Sequence, residues 1–137
     1  MESLRYPLSE SFANTLQAAS GKPLREITSD AVASGELSPA DLQVNATTLQ
    51  QQAEIARNAG YPQLAENLLR AAELTRVPND TLLQMYDKLR PGRASYEELI
   101  QIAETLIVTY QAPQTAAFVR EAAQIYQERK LTGNANP

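Results

Sequence analysis

The sequence predicts an all-α protein, with an N-terminal arm of turns and short helices followed by about five antiparallel helices in a small bundle. From Thr47 onward, apolar residues recur at spacings of three and four, which is the period of an amphipathic helix. Proline, glycine and helix-capping residues interrupt this pattern repeatedly, so the helices are short and their connections are tight. No run shows the sustained period-two alternation of a half-buried strand.

Residues 1–45 form the predicted arm. Prolines and glycines are spread along it and exclude a long helix: Pro7, Gly21, Pro23, Gly35 and Pro39. Thr28 is a candidate N-cap for a brief helix that reaches Val32. The run from Ser38 to Asp41 places Ser at the N-cap, Pro at the first helical position and an acid at the third. We expect this arm to need a surface on which to lie.

Residues 46–131 form the predicted helical domain. Its first helix has Leu49, Ala53 and Ala56 on one face and ends at Gly60. The inward stripes expected for the second and third helices are Leu64, Leu68, Ala71 or Ala72 and Thr75, and then Leu82, Leu83, Tyr86 and Leu89.

The third helix should end at Arg90-Pro91-Gly92, and a capping box from Ser95 to Glu98 should start the fourth. The inward stripes expected for the last two helices are Leu99, Ala103, Leu106 and Tyr110, and then Ala116, Val119, Ala123 and Tyr126. Residues 132–137 are predicted to be a disordered tail.

Composition excludes several classes of protein. The net charge of -4, with both signs interspersed, argues against the basic face of a nucleic-acid binder. No apolar run approaches the roughly 20 residues that a membrane span needs, and the N-terminus lacks the pattern of a secretory signal. We therefore expect a cytoplasmic protein.

Histidine and cysteine are both absent, and this is the most informative feature of the composition. No disulfide can form, and no imidazole or thiolate is present to bind zinc, haem iron or an iron–sulfur cluster. A Ser-His-Asp or Cys-His relay cannot be assembled within the chain. We therefore expect no catalytic, cofactor-binding or metal-binding residues in this chain.

Two charged clusters have alternative interpretations. Glu97 and Glu98 are adjacent on a helix and so do not face each other, which makes them helix-start acids rather than a catalytic pair. Lys88, Arg90 and Arg93 surround the end of the third helix. They either complement the helix dipole or form a docking site for carboxylates of a partner, because arginine makes bidentate contacts at interfaces.

Several strings occur in an order and spacing that resemble one family. They are Arg70-Ala71-Ala72-Glu73-Leu74, Val77-Pro78-Asn79-Asp80, Leu89-Arg90-Pro91 with Arg93 and Ser95, and Ala116-Ala117-Phe118-Val119-Arg120-Glu121-Ala122-Ala123 with Tyr126. Tyr6-Pro7-Leu8 and Gly21-Lys22-Pro23-Leu24 agree in the front half. From about Tyr6 to Leu131, the chain is similar to the small subunit of adenosylcobalamin-dependent diol or glycerol dehydratase.

The resemblance implies a non-catalytic subunit of a lyase that converts 1,2-diols or glycerol into an aldehyde and water by a radical route. It implies a large barrel subunit that holds the substrate, a medium subunit, and two copies of each chain in a heterohexamer. Adenosylcobalamin would be bound by those partners, not by this chain. No catalytic residue transfers from the family to a position here. The candidate subunit interface comprises Arg90, Pro91, Arg93, Phe118 and Arg120.

Two departures from the family pattern stand out. Gly92 occupies a position where the family has an aromatic residue between Pro91 and Arg93. Some members carry a longer N-terminal extension linked to packaging in a bacterial microcompartment, whereas this chain starts almost at Tyr6. Packaging in a microcompartment therefore stays open for this chain. The preference between glycerol and propane-1,2-diol also stays open, because the substrate contacts would lie in another chain.

A free-standing helical adaptor that binds other proteins is the alternative function. An obligate subunit should co-purify with a large barrel chain at fixed stoichiometry, whereas an adaptor should be a stable monomer. An independent carboxylate enzyme is disfavoured, because no paired acids share a helical face in a credible pocket.

Overall fold

The computed structural model describes residues 4–133, and in this part of the chain the fold is entirely α-helical, as the sequence predicted. Seven α-helices follow one another: α1 Leu8–Ser11, α2 Ser29–Ala33, α3 Ala46–Asn58, α4 Pro62–Leu74, α5 Asn79–Lys88, α6 Tyr96–Val108 and α7 Pro113–Glu128. Two 3-10 turns, Leu24–Glu26 and Pro39–Leu42, lie in the arm. No helix within residues 4–133 is long and apolar enough to cross a membrane.

The chain divides after Thr75 into two compact units. The first contains the arm and a hairpin in which α3 packs along α4. The second contains α5 and a hairpin of α6 and α7. The predicted tail, 132–137, lies outside the described residues except for Thr132 and Gly133.

The two hairpins are built alike. Gly60 and Gln111 have positive φ angles of 87° and 51° and end the first helix of each pair. Tyr61 and Ala112 follow with nearly the same backbone angles, φ -114° and ψ 69° against φ -113° and ψ 66°. A proline then opens the second helix of each pair, where its missing N–H costs no helical hydrogen bond.

The sequence repeats in the same register. Leu49 and Ala53 of α3 correspond to Leu99 and Ala103 of α6 at an offset of 50 residues. Pro62 and Ala65 of α4 correspond to Pro113 and Ala116 of α7 at an offset of 51. The chain therefore contains the same helical hairpin twice.

Alanine dominates the buried face of each hairpin. In the first unit Ala53, Ala56 and Ala65 form one cluster, with Leu68 and Leu69 packed against it. The second unit buries more alanines around two leucines and a valine: Ala94, Ala103, Ala112, Ala116, Ala123, Leu99, Leu106 and Val119. Small side chains let the helix backbones approach closely, but each one removes little apolar area from water.

The helix ends confirm the predicted caps. The Thr28 hydroxyl accepts a hydrogen bond of 3.2 Å from the Ala31 amide at the start of α2. At the start of α6, the Ser95 hydroxyl accepts from the Glu98 amide, and a Glu98 carboxylate oxygen accepts from the Ser95 amide. The second carboxylate oxygen of Glu98 lies 2.7 Å from the Lys88 ammonium at the end of α5. This ammonium and the Ser95 amide hold the pKa of Glu98 below its ordinary value.

The arm is tied together by the buried carboxylate of Asp41. It accepts hydrogen bonds from the Ser20 hydroxyl at 2.5 Å, the Ser38 amide at 2.7 Å, and the Ser38 hydroxyl and the Lys22 ammonium at 3.1 Å each. These donors, with the Ser20 hydroxyl foremost, hold the pKa of Asp41 well below its usual range, although burial acts in the opposite direction. The Lys22 ammonium also donates to the Glu36 carbonyl.

Two of the predicted inward stripes were wrong. Leu83 and Tyr86 are 67% and 51% exposed, whereas Met85, which the prediction omitted, is 8% exposed. On α4, Leu64 is half exposed and Ala65 is buried. Each of these helices carries two apolar stripes one residue apart, and periodicity alone does not say which of them packs inward.

Enlarging Ala65 tests the close approach of α3 and α4. We expect Ala65→Leu to lower the free energy of unfolding by about 1–3 kcal/mol, because the added side chain has no space between the helices. Ala71→Leu, on the exposed side of the same helix, is the matched control and should stay within about 0.5 kcal/mol of the wild type. Urea denaturation followed by circular dichroism measures both, and equal effects would contradict alanine packing at this site.

Removing the charge of Asp41 tests the arm network. Because the folded pKa lies below the unfolded value of about 3.9, the network stabilises the fold above about pH 4 and loses that effect as the pH falls further. We expect Asp41→Asn to be less stable than the wild type at pH 7, with the difference shrinking towards pH 2.

Asp30→Asn is the control, since Asp30 is an exposed acid in the same unit. Urea midpoints between pH 2 and pH 7 measure all three proteins. A difference between wild type and Asp41→Asn that is independent of pH would show that the carboxylate charge does not carry the effect.

Candidate subunit interface

The candidate interface centres on the turn between α5 and α6. Pro91 and Gly92 occupy the middle of a four-residue turn that the Arg93 amide closes with a hydrogen bond of 3.2 Å to the Arg90 carbonyl. Gly92 has a φ of 79°. Proline at the second position and a positive-φ glycine at the third are the signature of a type II turn. The two arginines are therefore the first and last residues of one tight turn.

This geometry concentrates positive charge. The first and last Cα atoms of such a turn lie within about 7 Å of each other, and both arginine side chains are exposed. Arg90 has one distant ion pair, at 3.9 Å from Asp87, and both of these side chains are more than half exposed. A surface pair of that kind contributes about 0–1 kcal/mol, so Arg90 can exchange it for a better partner at little cost.

The remaining predicted interface residues lie on α7. Phe118 is half exposed and Arg120 is exposed. Residues two apart on a helix point in directions about 200° apart, so Phe118 and Arg120 do not share one face of α7. Arg90, Pro91 and Arg93, by contrast, are brought together by a single turn.

Two exposed residues of α5 extend the surface of the turn. Leu83 and Tyr86 lie three residues apart on α5, which places them on one face of the helix, and Arg90 follows two residues after the helix ends at Lys88. Sequence reasoning assigned Leu83 and Tyr86 to the core. Periodicity gave no signal that would have identified them, because α5 carries a second apolar stripe one residue away.

Leu89, just before the turn, and residues of α6 and α7 hold the turn to the rest of its unit. Leu89, Tyr96 and Tyr126 pack against a buried cluster of Ala94, Leu99 and Ala123. The Tyr126 hydroxyl donates a hydrogen bond of 2.7 Å to the Leu89 carbonyl. The α5 helix itself has a buried side, where Met85 is 8% exposed, and an exposed side that carries Leu83 and Tyr86.

The acidic side chains of the described residues are dispersed or, at the groove of the first unit, already engaged in hydrogen bonds. Within residues 4–133, no three His, Cys, Asp or Glu side chains form a group able to hold a metal ion. An open groove in the first unit is lined mainly by apolar side chains, including Leu16, Leu24, Ile27, Val44 and Leu49. Its single carboxylate, Asp41, already accepts four hydrogen bonds.

Comparison with known proteins identifies relatives over most of the chain. The sequence profile of the dehydratase small subunit family matches residues 1–132. The chain is 46% identical over 125 residues to the propanediol dehydratase small subunit of Citrobacter freundii, a match that covers 91% of this chain and 73% of the relative. It is also 46% identical over 125 residues to the propanediol dehydratase small subunit of Salmonella typhimurium, covering 91% of this chain and 72% of that relative.

Proposed function

The chain belongs to the dehydratase small subunit family, and from this premise we propose that it is the non-catalytic small subunit of a coenzyme B12-dependent diol or glycerol dehydratase. The observation that carries the proposal is the 46% identity to two propanediol dehydratase small subunits over 91% of the chain. The holoenzyme would convert a 1,2-diol or glycerol into an aldehyde and water. This chain would pack against the large subunit and stabilise it.

Adenosylcobalamin belongs, in this proposal, to the partner subunits. This chain has no histidine or cysteine with which to bind cobalt, and its described acids form no metal-holding group. The chain therefore offers cobalt no imidazole or thiolate ligand, and in this proposal the radical chemistry of the cofactor takes place in the other chains. The proposed assembly holds two copies each of the large, medium and small subunits.

We propose that the surface formed by Arg90, Pro91 and Arg93 contacts the large subunit, with Phe118 and Arg120 making further contacts from α7. An interface of this composition is typical, since arginine and aromatic residues are enriched where subunits meet. The neighbouring Leu83 and Tyr86 supply apolar area beside the charge. Carboxylates of the large subunit are the expected partners of the two turn arginines.

Support of a distant active site is the contribution we assign to this chain. A misplacement of about 1 Å in a catalytic site can cost on the order of 100-fold in rate. A subunit that holds the barrel in its working geometry therefore affects the rate without touching the substrate. The alternative of a free-standing adaptor lacks a supporting match among the relatives, both of which are named dehydratase subunits.

Reconstitution tests the function. The large and medium chains are combined with adenosylcobalamin and a 1,2-diol, with and without this chain, and aldehyde formation is measured. We expect activity only when this chain is present, and we expect the isolated chain to bind neither cobalamin nor diol tightly. Full activity in its absence, or tight cobalamin binding by this chain alone, would refute the proposal.

Charge reversal tests the interface. We expect Arg90→Glu with Arg93→Glu to weaken assembly, because breaking a buried ion pair costs about 3–5 kcal/mol, which corresponds to more than about a hundredfold in Kd. Analytical ultracentrifugation at low protein concentration gives the measurement.

The matched control is Arg57→Glu with Arg129→Glu. Both of these exposed arginines also lie at helix C-terminal ends, so this pair removes the same charge and disturbs helix dipoles to a similar degree. Unchanged assembly of the Arg90 and Arg93 variant, or an equal loss in the control, would leave the turn arginines as ordinary dipole-compensating residues.

A further inference from the structure

The segment after α7 returns to the arginine turn. Lys130 has a φ of 57° and reverses the chain, and the Leu131 amide donates back to the Tyr126 carbonyl at 2.7 Å. The Leu131 carbonyl then accepts from the Gly92 amide at 2.6 Å, and the Gly133 amide donates to the Ala94 carbonyl at 2.8 Å. Two backbone hydrogen bonds thus join Leu131–Gly133 to the turn, one on each side of Arg93.

Gly133 lies so close to the turn that a Cβ atom there would make an unusually tight contact. A Cβ atom at this position would be 3.0 Å from the Arg93 carbonyl carbon and oxygen and 3.0 Å from the Gly92 oxygen. These are backbone atoms, so they cannot rotate away as the end of a side chain could. A side chain at position 133 would require the backbone of the turn, or the segment that carries it, to shift by a few tenths of an ångström.

The turn is held on its other side as well. The hydrogen bond from the Tyr126 hydroxyl to the Leu89 carbonyl fixes the residue just before Arg90. All of these contacts reach the turn through backbone atoms at Leu89, Gly92 and Ala94, and none of them uses the side chain of Arg90 or Arg93. The backbone is therefore fixed while the two guanidinium groups stay available.

We propose that Leu131–Gly133 is a positioning element for partner binding: it holds the Arg90–Arg93 turn in the conformation in which both arginines meet carboxylates of the large subunit. The proposal rests on the function proposed above and adds the residues that set the geometry of its contact. Bidentate arginine–carboxylate pairs need a defined orientation. A Pro-Gly turn that is already fixed in the free chain loses little conformational entropy when the partner binds, and this strengthens binding.

A purely structural role makes a different prediction. If the segment only stabilised the second unit, any variant that lowered stability equally would weaken assembly equally. If it positions the arginines, a shift of the turn weakens assembly more than an equal loss of stability elsewhere. The effect should also vanish once the arginines are removed, because their contacts would no longer depend on the turn.

Gly133→Ala is the test variant and Gly35→Ala is its control. Gly35 has a φ of 78°, so alanine is strained there, yet a Cβ would meet nothing within 4 Å. That control lowers stability without moving the turn. The full-length chain carrying either substitution is titrated against the purified large and medium subunits, and Kd is measured by calorimetry. Hydrogen exchange at the Gly92 and Gly133 amides of the isolated chain reports whether the two hydrogen bonds persist.

We expect Gly133→Ala to raise Kd several-fold and to speed exchange at both amides, while Gly35→Ala leaves Kd and those amides unchanged. In a background of Arg90→Gln with Arg93→Gln, we expect Gly133→Ala to have no further effect on Kd. Absence of any complex with the wild-type chain would refute the proposed function itself. A complex that Gly133→Ala leaves intact, or weakens equally without the arginines, would overturn the positioning role alone.

Discussion

Close approach of paired helices is the constraint on which the rest of this molecule depends. Both hairpins place alanines where the helices meet, and a short loop with one positive-φ residue and a following proline sets the reversal. Each methylene group buried on folding contributes about 0.8 kcal/mol, so an alanine interface contributes less than a leucine interface of the same length. The chain gains close packing and gives up part of the hydrophobic stabilisation that larger side chains would provide.

Building the core from alanine has a consequence at the surface. Large apolar side chains that could have filled a wider core lie outward instead, as Leu83 and Tyr86 do on α5. They follow the same helical spacing as the inward residues Leu82, Met85 and Leu89, displaced by one position. A helix with two apolar faces buries one of them within its own unit. In the proposed assembly, burial of the second face against another subunit would stabilise the folded chain by mass action.

Whether the sequence predicted a feature depends on how many positions separate the interacting residues in the chain. Helix caps depend on residues three positions apart, so Thr28 and the box from Ser95 to Glu98 were identified correctly. The five longer helices were found for the same reason. The Asp41 network joins residues up to 21 positions apart, and the sequence indicated only that Asp41 was a helix-start acid. The choice between two apolar stripes on α5 also depends on packing, which no local pattern contains.

The Arg90–Arg93 turn depends on interactions between residues close together in the sequence and on interactions between residues far apart. Its Pro-Gly core is local chemistry and could be recognised from the sequence, but its support comes from residues near the other end of the same unit. Gly133 follows Gly92 by 41 positions in the sequence, yet a Cβ on Gly133 would be 3.0 Å from the Gly92 oxygen. Gly133 alone gives no signal of that contact, because a glycine near a chain end is usually attributed to fraying.

A mobile Pro-Gly loop would present its arginines in many orientations and would lose conformational entropy on binding. Holding the turn by backbone bonds removes that cost without occupying either guanidinium group, which is the arrangement that a subunit working only through contact requires.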